Sequence, residues 1–234
     1  MKKAILIQIR EDKKIANQEY NCFLKISQKA RVILDKLNVC YDNLDVKKTI
    51  NKYDYILIGG SPFSVEDDFS QKKKIKDLIL SSVGAKKPFL GVCFGFQMLV
   101  WSLGGKIILD KKNKEFATKK VSLAKEGRKE KIFSNLPNNF YVQEAHEWRV
   151  SKIPKETKII AIGQRVKIQG IKIAAAPVYG VQFHPELKKS DMKFRMKYYN
   201  ANKNSVYNFN RKDFDGIEQS LDSEKIVFNF LKYH

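Results

Sequence analysis

The chain has 234 residues, 43% of them hydrophobic, which is enough for a full core in one domain. Lys and Arg number 45 against 25 Asp and Glu, a formal net charge of +20 that invites an acidic partner such as nucleic acid. The cations are scattered singly and in short clusters, and Arg, the residue suited to phosphate forks, is scarce, so a solvated lysine surface is the simpler reading.

No apolar run approaches the roughly 20 residues of a membrane helix, and the opening MKKAILIQIRE is too short for a signal-peptide core. With only Cys22, Cys40 and Cys93, a disulfide framework is not expected and a cytoplasmic setting is. In chain order, residues 4–9 predict a first buried strand and 20–37 a helical segment. Residues 53–60, YDYILIGG, form a continuous apolar strand ending in glycines. An amphipathic helix follows over 72–83, then a buried strand over 87–92 and a helix over 94–105 that two glycines stop. Apolar strands alternating with helices predict a mostly parallel sheet covered on both faces.

Past Gly105 the rhythm changes. Strand candidates at 106–109, 119–123, 139–142, 157–162 and 177–183 follow one another and predict a smaller antiparallel segment within the same domain. Residues 188–220 are polar, basic and rich in Tyr, Phe and Asn, as expected of an insertion or long loop. Residues 222–233 close the chain with a helix, capped by Asp222 or Ser223 and apolar at Ile226, Val227, Phe230 and Leu231.

The chemistry concentrates at GVCFGFQ, residues 91–97. Cys93 lies between a predicted strand and a predicted helix, at the carboxyl end of the strand, where α/β sheets bind ligands. Gly91 and Gly95 remove Cβ clashes from a sharp turn, as in a nucleophile elbow with Cys in place of Ser. The helix N-terminus favours thiolate. A buried structural cysteine is the alternative.

A thiol needs a base, and the chain has three histidines. His234 is terminal and expected to fray. His184 stands in YGVQFHPEL at the end of another apolar strand, and Pro185 pushes it toward extended backbone. Two residues on, Glu186 then shares its side and can orient the imidazole. Cys93 as nucleophile, His184 as base and Glu186 as orienter follow from this arrangement. His146 reads as structural or partner-facing, Trp101 as core, and Cys22 and Cys40 as core packing.

GVCFGFQ followed by GVQFHPE resembles the class I, triad-type glutamine amidotransferases. So do GGSPFSVEDD, NKEFATKKVSL and FYVQEAHEWRVSKIP, which fall in the order of the stand-alone branch similar to the glutaminase part of GMP synthase. The resemblance implies a flavodoxin-like α/β fold and hydrolysis of the glutamine side-chain amide through a γ-glutamyl thioester. It implies oxyanion donors from the turn Gly59, Gly60, Ser61 and from Phe94, with Gln97 in the substrate-binding set. Glutamine is the implied substrate. No cofactor is implied, and no metal, because no His/Cys/Asp cluster has ligand spacing. The sequence carries no phosphate-binding loop, so a separate ATP-dependent synthetase chain is the expected partner.

Three departures stand out. Phe96 occupies a position where the family often has His. His146, Glu147 and Trp148 replace the usual H-x-D, which bears on acceptor identity. The oxyanion turn reads GGSP rather than GGP. A γ-glutamyl hydrolase on the same fold is one alternative. A basic, non-catalytic binding or regulatory protein, using 188–220 to hold single strands, is another.

Overall fold

The computed structural model describes residues 1–202, 205 and 207–234. Strand β1 (Lys3–Gln8) leads into helix α1 (Lys13–Lys29). Asp12 caps that helix by accepting from the N–H groups of Lys14 and Ile15, and Arg31 at φ 58° turns the chain out of it. Then come β2 (Ile33–Asn38), α2 (Val46–Lys52), β3 (Tyr55–Ile58), α3 (Lys72–Gly84), β4 (Phe89–Val92) and α4 (Phe94–Ser102). The antiparallel half holds β5 (Lys106–Leu109), β6 (Glu115–Leu123), β7 (Asn139–His146), β8 (Trp148–Lys152), β9 (Thr157–Gly163) and β10 (Gly170–Ile173). Strand β11 (Val178–Val181) and helices α5 (Lys189–Ala201), α6 (Arg211–Asp215) and α7 (Glu224–Tyr233) complete the chain.

The main sheet has nine strands in the order β2-β1-β3-β4-β11-β10-β9-β6-β7. The first five run parallel, and β10, β9, β6 and β7 continue the sheet antiparallel. β5 and β8 pair separately as a small antiparallel sheet. The order 2-1-3-4 followed by β11 is the flavodoxin-like winding.

β1 shows why the parallel strands are apolar throughout. Ala4 and Leu6 face one side, where Phe23 of α1 and Phe230 of α7 pack, and Ile5 and Ile7 face the other, toward Ile75 of α3 and Leu99 of α4. Both faces are covered, so no polar alternation survives. Among the described residues no helix is long and apolar enough to cross a membrane.

Four expectations need correction. The predicted helix over 20–37 is instead the second half of α1 followed by β2. β2 is an edge strand with little buried apolar surface, so its pattern is faint. The predicted loop at 188–220 contains α5 and α6. Residues 203, 204 and 206 of that span lie outside the described residues. Met192 and Met196, one helical turn apart, bury themselves with Leu187, Phe209 and Ile217 against Cys22 and Phe116. The apolar stripe is narrow and most other positions are charged or polar, Lys, Tyr and Asn among them, so average polarity hid it.

His234 does not fray: its ring packs 5.4 Å from that of Tyr179, and its carbonyl accepts from Lys2 Nζ at 2.9 Å. Trp101 is only partly buried, with the ammonium groups of Lys72 and Lys76 about its ring at 5.0 and 5.1 Å. The apolar face expected of the last helix is fully buried, and Ser223 precedes that helix without capping it through its side chain.

Candidate active site

Cys93 sits between β4 and α4 at φ 53° and ψ −103°, a conformation that costs an L-residue roughly 1–3 kcal/mol. The neighbouring glycines answer for it. A Cβ on Gly91 would stand 2.5 Å from the carbonyl oxygen of Gly95, and one on Gly95 would stand 2.3 Å from that of Ile58. Both obstacles are backbone, so neither can yield. The turn is tied to the sheet by Cys93 N–H donating to the Val181 carbonyl at 2.8 Å. Cys93 is 6% exposed and heads α4.

β4 and β11 are parallel neighbours, with Val92 opposite Val181. Their carboxyl ends therefore deliver Cys93 and His184 to the same edge. His184 N–H donates to the Gln143 carbonyl at 2.8 Å, which staples this segment to β7. Nδ1 of His184 lies 2.8 Å from Oε1 of Glu186, and both side chains are buried. Burial disfavours a charged imidazole, but the Glu186 carboxylate and then the neighbouring Cys93 outweigh it. The His184 pKa is pushed up to about 9. Burial pushes the Glu186 carboxyl upward, yet His184 and Arg195 together hold it below the ordinary value.

Two cavities meet at Cys93. One holds His184, Met192, Met196 and Arg10; the other holds Phe94, Gln97, His146 and Trp148. Ser61, Ala145 and Tyr207 border both. The thiol is 4.0 Å from the Ala145 carbonyl oxygen and 3.9 Å from Nε2 of Gln182. Gln97 donates Nε2 to the Trp148 carbonyl at 2.9 Å and to Oε1 of Gln182 at 3.3 Å. Its amide thereby braces the cleft wall.

The turn after β3 requires a correction. Gly59 N–H is spent on the Ile7 carbonyl at 3.1 Å, and Gly60 N–H on Oε1 of Glu19 at 3.1 Å. Neither is available as an oxyanion donor in this arrangement, since the turn closes against the end of β1 and a buried carboxylate. Ser61 and Phe94 are the remaining candidates, their N–H groups donating to no protein acceptor among the described residues. Gly60 has a steric part instead: a Cβ there would stand 2.8 Å from Cε1 of His184.

Residues that the sequence reading passed over hold this turn. Glu19, wholly buried on α1, accepts from Arg10 at 2.8 Å and from Gln8 Nε2 at 2.9 Å besides Gly60. Arg10 is buried too, and its hydroxyl partner Tyr199 lies 3.2 Å away. The available signal was Gln8 interrupting an apolar strand. A second group, Glu115, Glu144 and His146, is buried with ligand atoms within 4.8 Å of one another, a donor set that could hold a cation. Spacing did not disclose it because Glu115 comes from a different strand.

Residues 22–200 match the family model described as glutamine amidotransferase class-I. The chain is 32% identical over 136 residues to a glutamine-hydrolyzing GMP synthase subunit from Methanocaldococcus jannaschii, covering 58% of this chain and 66% of that protein. It is 34% identical over 136 residues to the glutamine-hydrolyzing GMP synthase of Borreliella burgdorferi, covering 58% of this chain and 25% of that one. The fold is similar to that of a glutamine amidotransferase from Thermotoga maritima (TM-score 0.75, 20% identity, 99% of this chain and 95% of that one). It is also similar to one from Methylobacillus flagellatus (TM-score 0.79, 16% identity, 99% and 93%).

Proposed function

Because the chain belongs to the class I glutamine amidotransferases, we propose that it hydrolyses the side-chain amide of glutamine through a Cys93–His184–Glu186 triad. On this reading it supplies the ammonia to a synthetase on another chain. The observation that carries the mechanism is the strained Cys93 turn opening on the same cavity as a His184–Glu186 pair held at 2.8 Å.

His184 holds the proton drawn from the Cys93 thiol, and the sulfur attacks Cδ of glutamine. The tetrahedral oxyanion rests against the N–H groups of Ser61 and Phe94, fixed donors that need no reorganisation. His184 then gives its proton to the departing nitrogen, ammonia leaves, and a γ-glutamyl thioester remains on Cys93. Water, deprotonated by His184, attacks the thioester carbonyl. Glutamate departs and the thiol regains its proton. Glu186 holds the Nδ1 side of the ring and stabilises the imidazolium in both halves.

The relation to a glutamine-hydrolyzing GMP synthase subunit supports an acceptor reaction on a separate chain, which on this reading is ATP-dependent. A GMP synthase-like acceptor is the best-supported choice. The test is steady-state release of glutamate and ammonia by wild type and Cys93→Ala, with and without the candidate synthetase, its nucleotide and ATP. Activity confined to Cys93 and raised by the synthetase is expected. Equal turnover of γ-glutamyl amines without any partner would favour the free γ-glutamyl hydrolase instead.

A further inference from the structure

The two cavities that meet at Cys93 differ in size. The one bordered by Gln97 and Trp148 has a free volume of about 140 Å³, and the one bordered by His184 has about 30 Å³. Holding a single water takes roughly 10–15 Å³, so the smaller cavity has room for ammonia and little beyond it. The chemistry assigns the two ends of glutamine between them. As the Cδ–N bond breaks, the leaving nitrogen takes its proton from His184, so it must face that imidazole. His184 borders the smaller cavity and not the larger, and the amino acid end of glutamine then lies on the larger side.

The wall of the smaller cavity comes from the segment after the triad. Met192 and Met196, one turn apart on α5, and Phe209 line it and are 1%, 0% and 6% exposed. Leu187, Ile217 and Phe116 pack with them, so the wall is backed by a filled core and has nowhere to retreat. Polar contacts pin α5 to α1. Arg195 donates Nε and Nη2 to Oε1 of Gln18 at 3.0 and 2.7 Å, and Gln18 donates Nε2 to the Asp191 carbonyl at 3.2 Å. The Asn200 side chain grips the backbone of Phe209, accepting from its N–H at 2.8 Å and donating to its carbonyl at 2.7 Å. The Phe209 ring meets that of Phe116 edge-on at 5.2 Å.

We propose that the smaller cavity is a leaving-group subsite sized for ammonia, and that Met192, Met196 and Phe209 are the specificity-determining residues that make it so. The proposal rests on the glutamine-hydrolysis reading of this site. A γ-glutamyl amide with an alkyl group on its nitrogen has to drive that group into the methionine and phenylalanine side chains as the bond breaks. Overfilling a packed apolar site is costly, so glutamine is cleaved and its N-alkyl amides are excluded.

The test is glutamate release from glutamine, γ-glutamyl methylamide and γ-glutamyl ethylamide, alone and with the candidate synthetase, its nucleotide and ATP. In wild type, kcat/KM for glutamine is expected to exceed that for the ethylamide at least roughly 100-fold, with the methylamide between them. Met196→Ala opens the wall and should narrow the glutamine-to-ethylamide ratio at least tenfold. Phe209→Leu, a milder truncation, should narrow it at least threefold and stands in if Met196→Ala fails to fold. The ratio separates a sieve from mere support, because a variant that only loosens the fold slows both substrates alike.

A preference for glutamine that the folded variants keep unchanged overturns the sieve and leaves the glutaminase reading standing. Wild type that cleaves the ethylamide as fast as glutamine overturns both. If wild type cleaves none of the three, the functional reading fails separately, and the cavity is judged by xenon in pressurised crystals. One atom beside Cys93 in the truncated variant and none in wild type is then expected, and xenon in both or in neither overturns the sieve.

Discussion

Replacing Glu186 by Gln keeps the side-chain volume and an oxygen near His184 Nδ1 but removes the charge at 2.8 Å. In the wild-type protein His184 is held at about 9 against an ordinary 6.5, despite burial that favours the neutral ring. That gap corresponds to roughly 3 kcal/mol of preference for the imidazolium. Glu186 is the first of the groups that favour the charged ring. Up to roughly 3 kcal/mol of imidazolium stabilisation is therefore at stake. At about 1.36 kcal/mol per tenfold this means a loss of up to roughly 100-fold in kcat. The assay is initial-rate glutamate release across pH 6 to 10, with circular dichroism to verify folding. The alkaline limb of Cys93 alkylation should also move to lower pH in the variant. A rate within threefold of wild type would remove Glu186 from the mechanism, and a loss as complete as that of Cys93→Ala would mean that it does more than hold the imidazole.

Gly95→Ala drives a methyl into the Ile58 carbonyl, so the elbow must move. It should cost at least about 1–3 kcal/mol in a urea titration and lose most glutamine hydrolysis, and an active variant of wild-type stability would refute the close-packing account. Glu19→Gln removes the buried partner of Arg10 and should destabilise the fold by about 3–5 kcal/mol, read as a lower urea midpoint. His184 and His146 have folded pKa values near 9 and 10, above the ordinary 6.5 of an unfolded imidazole. Their contribution to stability is complete below about pH 6.5 and is lost as pH rises through 9 and 10, so the melting temperature should fall across that window. The fall should be smaller in Glu186→Gln.

Local chemistry was legible in the sequence wherever one short segment carries the whole constraint. Glycines at 91 and 95 around Cys93 declare a turn that no side chain could fit, and His184-Pro-Glu186 declares an imidazole with a carboxylate on its own side. The parallel strands were legible because burial on both faces removes polar alternation, as in β1, β3 and β4. β2 and α5 were not, for one is an edge with little apolar burial and the other buries a narrow methionine stripe under abundant lysine.

What only the tertiary structure decided are relations between segments far apart in the chain. Gly60 N–H was a plausible oxyanion donor until Glu19 of α1 was seen to occupy it. Glu115, Glu144 and His146 carry no motif, because the antiparallel register of β6 and β7, not their spacing, brings them together. A buried charge is stabilised by whatever lies within a few ångströms, and that neighbour is set by packing rather than by position in the sequence.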